Sequence, residues 1–272
     1  LRAPAPVTGS DGETVTENWL VCHTDNLDEI MECLFLEQVL LGNDSSPVAK
    51  ALIDSGLGTD LAPVSGLCSE MRDSIFAFGL RGVKKGNEKK VQKTVFDVLG
   101  TLCKKGIAKK DIAAAVLSVD FANREVVRSH GPYSLILMDR ALNGWNYGTP
   151  PDNMLCYRAA FEKVRKALCD DSEYTEKLIQ KYLLSNNQRI LVTAYPEKKY
   201  LSDRDKKEQL LVKALVKKAD SVQIIRETDA LHEYQQHKET AEEVSCIPHL
   251  NPSELSSSVD WIDTELTSCP SS

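Results

Sequence analysis

The chain has 272 residues, 42% of them hydrophobic and 27% charged, with a formal net charge of −7. That length and apolar content can bury a sizeable core, as one large domain or as a medium domain with an appendage. The acidic balance argues against a nucleic-acid or anionic-membrane surface, which needs clustered Lys and Arg, and no apolar run approaches the roughly 20 residues that cross a bilayer.

The opening Leu1-Arg2-Ala3-Pro4-Ala5-Pro6 has no apolar signal core and reads as part of a linker over residues 1–14. Trp19-Leu20-Val21-Cys22-His23-Thr24 reads as a buried strand. Asn26 with Glu29 three residues on is a capping-box start, and Leu27, Ile30, Met31, Leu34 and Leu41 continue at helical spacing to a stop at Gly42. Pro47 to Asp54 is a short helix with proline in its first turn, and Gly56 and Gly58 supply the turn out of it. Residues 60–70 and 73–83 read as two strands, the second alternating Phe76, Phe78 and Leu80 with smaller or polar residues.

Val91, Val95, Val98, Leu99 and Leu102 mark a helix closed by Lys104-Lys105 and Gly106. Further helices are predicted over about 108–128, 133–142, 153–168 and 172–184, with a Gly-, Asn- and Pro-rich loop at 143–151. Arg189 to Ala194 is a β-branched strand ended by Pro196. From Glu197 to Glu243, 21 of 47 residues are Asp, Glu, Lys or Arg, with a thin apolar stripe that includes Leu210, Leu211, Leu215, Val222, Ile225 and Leu231. That composition suits two charged amphipathic helices outside the compact core. The eight scattered cysteines include no Cys-x-x-Cys pair and read as free buried thiols. The order of strands and helices fits an α+β, two-layer sandwich with an antiparallel or mixed sheet.

Several motifs in order carry a family resemblance. Ser46-Pro47, Lys50-Ala51-Leu52-Ile53 and Ser55-Gly56-Leu57-Gly58 form a run similar to Ser-Pro-x-x-Lys-Ala-Leu-Ile-x-Ser-Gly-Leu-Gly. Phe78-Gly79-Leu80-Arg81-Gly82-Val83, the loop Gly144-Trp145-Asn146-Tyr147-Gly148 with Pro150-Pro151, and Tyr182 through Arg189 follow in the same order. Together they resemble the presequence-protease (falcilysin-like) branch of the pitrilysin/insulinase zinc metallopeptidases. The resemblance implies a LuxS/MPP-like half-domain, a mostly antiparallel sheet layered with helices and followed by a helical hairpin. Residues 15–196 would be the noncatalytic second α+β domain. Residues 197–245 would be a charged helical hairpin linking the halves of the protease, and 246–272 the extended start of the next domain. The motif residues Ser46, Pro47, Lys50, Gly56, Gly58, Gly79, Gly82, Trp145, Tyr147 and Gly148 are expected to be structural.

The zinc-binding His-x-x-Glu-His helix of that family has no counterpart here, so no catalytic or metal-binding residue is assigned and zinc is expected only in the full-length protease. The resemblance implies a chamber wall and hinge for a peptide-degrading endopeptidase, whose chemistry is zinc-activated water with a Glu base. The expected partners are the remaining domains and the peptide substrates of the whole protein, with no nucleic acid and no membrane. The expected compartment is bacterial cytoplasm or an organelle (mitochondrial or plastid) matrix. The alternative is a catalytically inactive scaffold subunit of the same fold.

Other candidate groups read as structural. His232 and His237 are five apart, about 140° around a helix, and diverge where zinc helices converge. Cys22 and His23 point to opposite faces of a strand and form no nucleophile–base pair. His130 reads as a helix-end residue. Gly79-x-x-Gly82 with Gly86 lacks the Gly-Lys-Ser/Thr of a phosphate loop, and Lys84, Lys85, Lys89, Lys90 and Lys93 read as a solvated face. Trp145 and Tyr147 read as buried aromatic anchors under their loop, with the lining of a cavity as the alternative.

Overall fold

The computed structural model describes residues 1–7, 12–126, 132–247 and 251–254. The chain divides into two compact units, Leu1–Asp205 and Lys206–Ser272. In the first unit, strands β1 (Arg2–Ala5), β2 (Glu13–His23), β3 (Asp60–Leu61), β4 (Gly66–Cys68), β5 (Asp73–Val83) and β6 (Arg189–Pro196) form one open sheet. Its order is β1-β6-β2-β5-β3, with β4 also paired to β5. Strands β1 and β6 run parallel; the other pairs are antiparallel. The fold is the expected α+β class with a mostly antiparallel sheet.

Strand β2 lies between β5 and β6, and Trp19 sits opposite both Phe76 and Arg189. Glu13, Val15, Glu17 and Trp19 alternate onto the face that the helices cover, as the period of two requires. Trp19 is fully buried, edge-on to Phe78 with ring centroids 5.7 Å apart, and 5.8 Å from Phe96. Its indole N–H donates to Leu183 O at 2.9 Å.

The helices of this unit include α1 (Leu27–Leu41), α2 (Pro47–Asp54), α3 (Glu88–Lys105), α4 (Lys109–Arg124), α5 (Tyr133–Trp145), α6 (Tyr157–Asp170) and α7 (Tyr174–Ile179). Helix α1 buries Met31, Phe35, Leu36 and Leu40 against the sheet, and α3 adds Val91, Val95 and Leu99. Asn26 caps α1 by accepting from Glu29 N at 3.3 Å, but the reciprocal half of the capping box does not form. The Glu29 carboxylate pairs instead with Lys181 at 3.1 Å, in the π turn Gln180–Leu184 that continues α7. Lys181 also reaches Glu32 at 3.0 Å, and Glu32 accepts from the hydroxyls of Tyr174 (2.8 Å) and Tyr182. One carboxylate thus fastens α1 to the end of α7. Burial and the Glu32 charge push both tyrosine phenols up, so they stay neutral donors.

The structure corrects several sequence expectations. Arg2–Ala5, read as linker, is an edge strand whose register against Thr193–Pro196 is held at its two ends by Thr193 N donating to Leu1 O and Glu197 N donating to Ala5 O, both at 2.9 Å. The long strand expected over 60–70 is broken at Pro63, which has no amide to donate. Ala62 N instead donates to Gly79 O (2.9 Å) and Ser65 N closes a turn to Ala62 O. Helix α5 runs on to Trp145, into the expected loop. Among the described cysteines only Cys33 is buried; Cys68, Cys156, Cys169 and Cys246 are exposed, and all seven are free.

The second unit takes in most of α8 (Tyr200–Lys218), then α9 (Ser221–Gln236) and the single turn α10 (Ala241–Val244). Asp220 caps α9 by accepting from the Val222 and Gln223 amides. Thr240 and Glu243 form a complete capping box on α10. Every described residue from 201 to 247 is exposed. In the expected extended tail, Pro252–Glu254 forms a 3₁₀ turn, and residues 255–272 lie outside the described residues.

Two measurements check these packing arguments. Trp19→Phe removes both ring volume and the donor to Leu183 O, and is expected to cost about 2–4 kcal/mol in urea unfolding; a loss under about 0.5 kcal/mol contradicts the anchoring role. Glu37 accepts from Leu67 N at 3.1 Å, and burial pushes its carboxyl above the usual range. A raised folded pKa means the buried charge costs stability above that pKa and the cost disappears as pH falls toward the ordinary Glu value. Glu37→Gln keeps an acceptor for Leu67, so it should be at least as stable as the parent at pH 8, with that advantage shrinking toward pH 4.

Candidate functional site

The motif residues fall into two groups at opposite ends of β2. In the first group Pro47 opens α2, Ser46 Oγ accepts from Asn43 N at 3.1 Å, and Lys50 pairs with Asp54 at 2.9 Å. Gly56 turns the chain with φ +61°, a conformation that a side chain would strain. Gly58 has no such φ. It is required because a Cβ there would stand 2.6 Å from Arg81 O and 2.8 Å from Leu80 Cβ, so its expected turn role is corrected to one of close approach. Gly79 is tighter still: a Cβ would lie 2.0 Å from Val15 O on β2. Gly82 combines φ +72° with a Cβ position 2.4 Å from Thr59 Oγ1.

The structure therefore gathers Gly58, Gly79 and Gly82 where β3 joins β5 and β5 meets β2. Beside them is an open cleft of about 550 Å³ lined by Thr14, Thr59, Pro63, Ala194 and Pro196 and by the ion pair Arg81–Asp60 at 2.6 Å. That pair holds the Asp60 carboxyl below its usual range, through the hydrogen bond from Arg81 first. The cleft presents backbone and one neutralised pair, and its described lining has no nucleophile beside a base.

The second group lies at the other end of β2. Gly148 turns the chain with φ +95° after α5, and Thr149 N returns to Gly144 O at 3.1 Å. Trp145 is 59% and Tyr147 42% exposed, so the expected burial of these rings is overturned. Buried Gly144, against Met154, holds this bend in place of the rings. Tyr147, Asn146, Arg72, Asp25 and His23 line a cleft of about 450 Å³, and His23 Nδ1 pairs with Asp73 at 2.7 Å. Cys22 packs on the core side with Cys33 while His23 is in solvent, so no thiol–imidazole pair forms. The Cys33 thiol is pushed up by the hydrogen bond with Cys22 and by burial, which leaves it inert. At about 3.3 Å per residue, Thr14 and His23 are roughly 30 Å apart along β2, so the two groups build no common site.

His232 lies on α9 and His237 caps its end, 3.7 Å from Glu243. No three His, Cys, Asp or Glu among the described residues are placed to hold a metal ion. His130 lies outside the described residues. Of the lysine cluster, Lys93 pairs with Asp97 and Lys89 with Gln92 on the exposed face of α3. Sequence reasoning missed the buried carboxylates Glu13 and Glu17. Glu17 accepts from Gln92 at 2.8 Å and is pushed up by burial, and Glu13 pairs with Arg2. Their in-facing places in the alternation of β2 were the available signal.

If these motifs are structural, glycine substitutions should damage the fold while the exposed rings tolerate change. Gly58→Val and Gly79→Ala are expected to lose about 1–3 kcal/mol or more. Asp60→Asn, Trp145→Ala and Tyr147→Ala should stay within about 1 kcal/mol of the parent by thermal unfolding. Equal losses in both sets would contradict the assignment.

Comparison with known proteins bears on both the fold and the charged helices. The family described as associated with the C group of the M16 peptidases matches residues 195–269. Presequence protease 1, chloroplastic/mitochondrial, of Arabidopsis thaliana is 27% identical over 92% of this chain and 24% of its own length. The mitochondrial presequence protease of Mus musculus is 25% identical over 93% of this chain and 24% of its own. The chain thus spans about a quarter of the length of the curated relatives it matches. Among solved structures, an inactive peptidase domain from Bordetella parapertussis matches with a TM-score of 0.54 at 14% identity, over 70% of this chain and 96% of that one, which speaks for the fold alone. The ordered motifs and these relatives converge on one likeness: the chain is similar to the presequence-protease branch of the pitrilysin/insulinase (M16) peptidases.

Proposed function

We propose that this chain is a noncatalytic chamber-wall domain and hinge linker of a zinc-dependent metalloendopeptidase that degrades peptides. One observation carries the reading. Helices α8 and α9 bury none of their own residues, yet they expose Leu210, Leu211, Leu215, Val222, Ile225 and Leu231 at 55–68%. Isolated helices of this length are marginal in water, and so large a set of exposed apolar side chains is the mark of an interaction surface. The family match falls on this same segment, and the curated relatives are about four times longer than the chain. The occupant of the stripe is then the rest of the parent protease, with α8 and α9 as the hinge between its halves. On this reading residues 15–196 are the wall domain, 197–245 the linker and 246–272 the start of the next domain.

Zinc would be held by another part of that protein, because the two histidines of α9 diverge and the described residues offer no ligand set. The proposed compartment is bacterial cytoplasm or an organelle matrix. It draws support from the mitochondrial and chloroplast names of the relatives, and no helix among the described residues is long and apolar enough to cross a membrane.

The purified chain should contain well under one zinc by elemental analysis and leave amphipathic peptides uncleaved. About one tightly held zinc, lost together with peptidase activity in His232→Ala or His237→Ala, would overturn the proposal. The reading frame upstream of Leu1 separates it from the inactive-scaffold alternative. A His-x-x-Glu-His helix there supports the protease, and a natural start codon close to Leu1 supports the scaffold.

A further inference from the structure

A second cavity, of about 320 Å³, lies among α4, α5 and α6, apart from both clefts at the ends of β2. Phe161, 3% exposed, is part of its lining, together with Tyr157, Leu137 and the half-exposed Leu155. These give it an apolar body large enough for one aromatic ring or a short acyl chain.

Its charges are unevenly committed. The lining holds three arginines and two carboxylates. Both carboxylates are already paired within their own helices, Asp120 with Arg124 at 2.7 Å and Glu162 with Arg165 at 2.9 Å. Among the described residues, Arg140 and Arg158 have no carboxylate partner. The Arg140 guanidinium lies over the Tyr157 ring, 4.6 Å from its centroid, which holds the group at the cavity without neutralising it. Burial pushes the Tyr157 phenol up, so its hydroxyl remains a proton donor. A greasy floor beside two uncommitted guanidinium groups and a phenol has one complementary ligand class, an anion on an apolar body. The planar guanidinium fork favours carboxylate geometry.

We infer that the α4–α5–α6 cavity binds an apolar carboxylate, such as a peptide C terminus ending in an aromatic residue or a free aryl or acyl acid. The inference stands on the cavity alone and does not depend on the proposed function.

The test is titration of the isotopically labelled chain with N-acetyl-L-phenylalanine, its C-terminal amide, and a tetra-alanyl peptide ending in free phenylalanine, read by amide chemical shifts. The acid should shift resonances of α4, α5 and α6 saturably, and the amide should bind at least about tenfold more weakly, as loss of a charge-assisted hydrogen bond requires. Arg140→Gln and Arg158→Gln should each weaken the acid by a similar factor, while Lys110→Gln, at the exposed start of α4 and outside the cavity lining, should not. Tighter binding of the peptide than of the single residue identifies a chain terminus as the ligand, and equal binding identifies a free acid. Equal affinity for acid and amide, or shifts confined to other elements, overturns the inference. So does an absence of saturation by about 10 mM acid. The comparison of acid with amide uses the unaltered chain, so it stands even if a variant fails to fold.

Discussion

The central place of β2 is the constraint on which the rest of the first unit depends. Hydrogen-bonded on both edges, β2 carries Val15 and Trp19 into the helix layer on one face. Trp19 then ties that face to the far end of the chain's compact core through the carbonyl of Leu183. A carbonyl in a helix's last turn has no partner within the helix, and an indole N–H must find one when buried, so a single bond of 2.9 Å satisfies both. The π turn fits this joint, with Ser185 N bonding back to Gln180 O and Leu183 left to face the indole. The Glu32 network then fixes α1 to the same turn from the other side.

The same centrality explains the glycines. Strand β5 passes so close to β2 that Gly79 has no room for a Cβ, and β3 is held to β5 by Thr59 N donating to Arg81 O at 2.8 Å beside Gly58. These residues set distances between strands, which is a structural role that a sequence motif can easily disguise as a ligand loop. Because β2 runs the length of the sheet, the clefts at its two ends are kept apart. Neither assembles a nucleophile, base and electrophile from its described lining.

Much of this was legible in the residues. Proline at 47, with the glycine turn after Asp54, located α2 to the residue, and Phe76, Phe78 and Leu80 identified the buried face of β5. What was not legible depended on tertiary partners. Arg2–Ala5 has no strand pattern of its own and becomes a strand only because β6 offers a free edge. Trp145 and Tyr147 were read as buried from their chemistry, but the bend that they flank is held by Gly144 against Met154 and leaves the rings in solvent. Glu29 has the spacing of a capping box, yet a lysine from the π turn draws its carboxylate away. Glu13 and Glu17 look like surface residues until Arg2, Gln92 and Arg189 arrive from three other elements.

We propose that protein outside this chain completes the apolar stripe of α8 and α9. Hydrogen exchange tests it most directly, in this chain alone and in the longer natural protein. Amides around Leu211 and Ile225 should exchange well before those of Val98 and Leu191 in the isolated chain, and should become as slow as them in the full-length protein. If the helical amides are already as protected as Leu191 in the monomeric chain, or gain no protection in the full-length protein, the claim is contradicted.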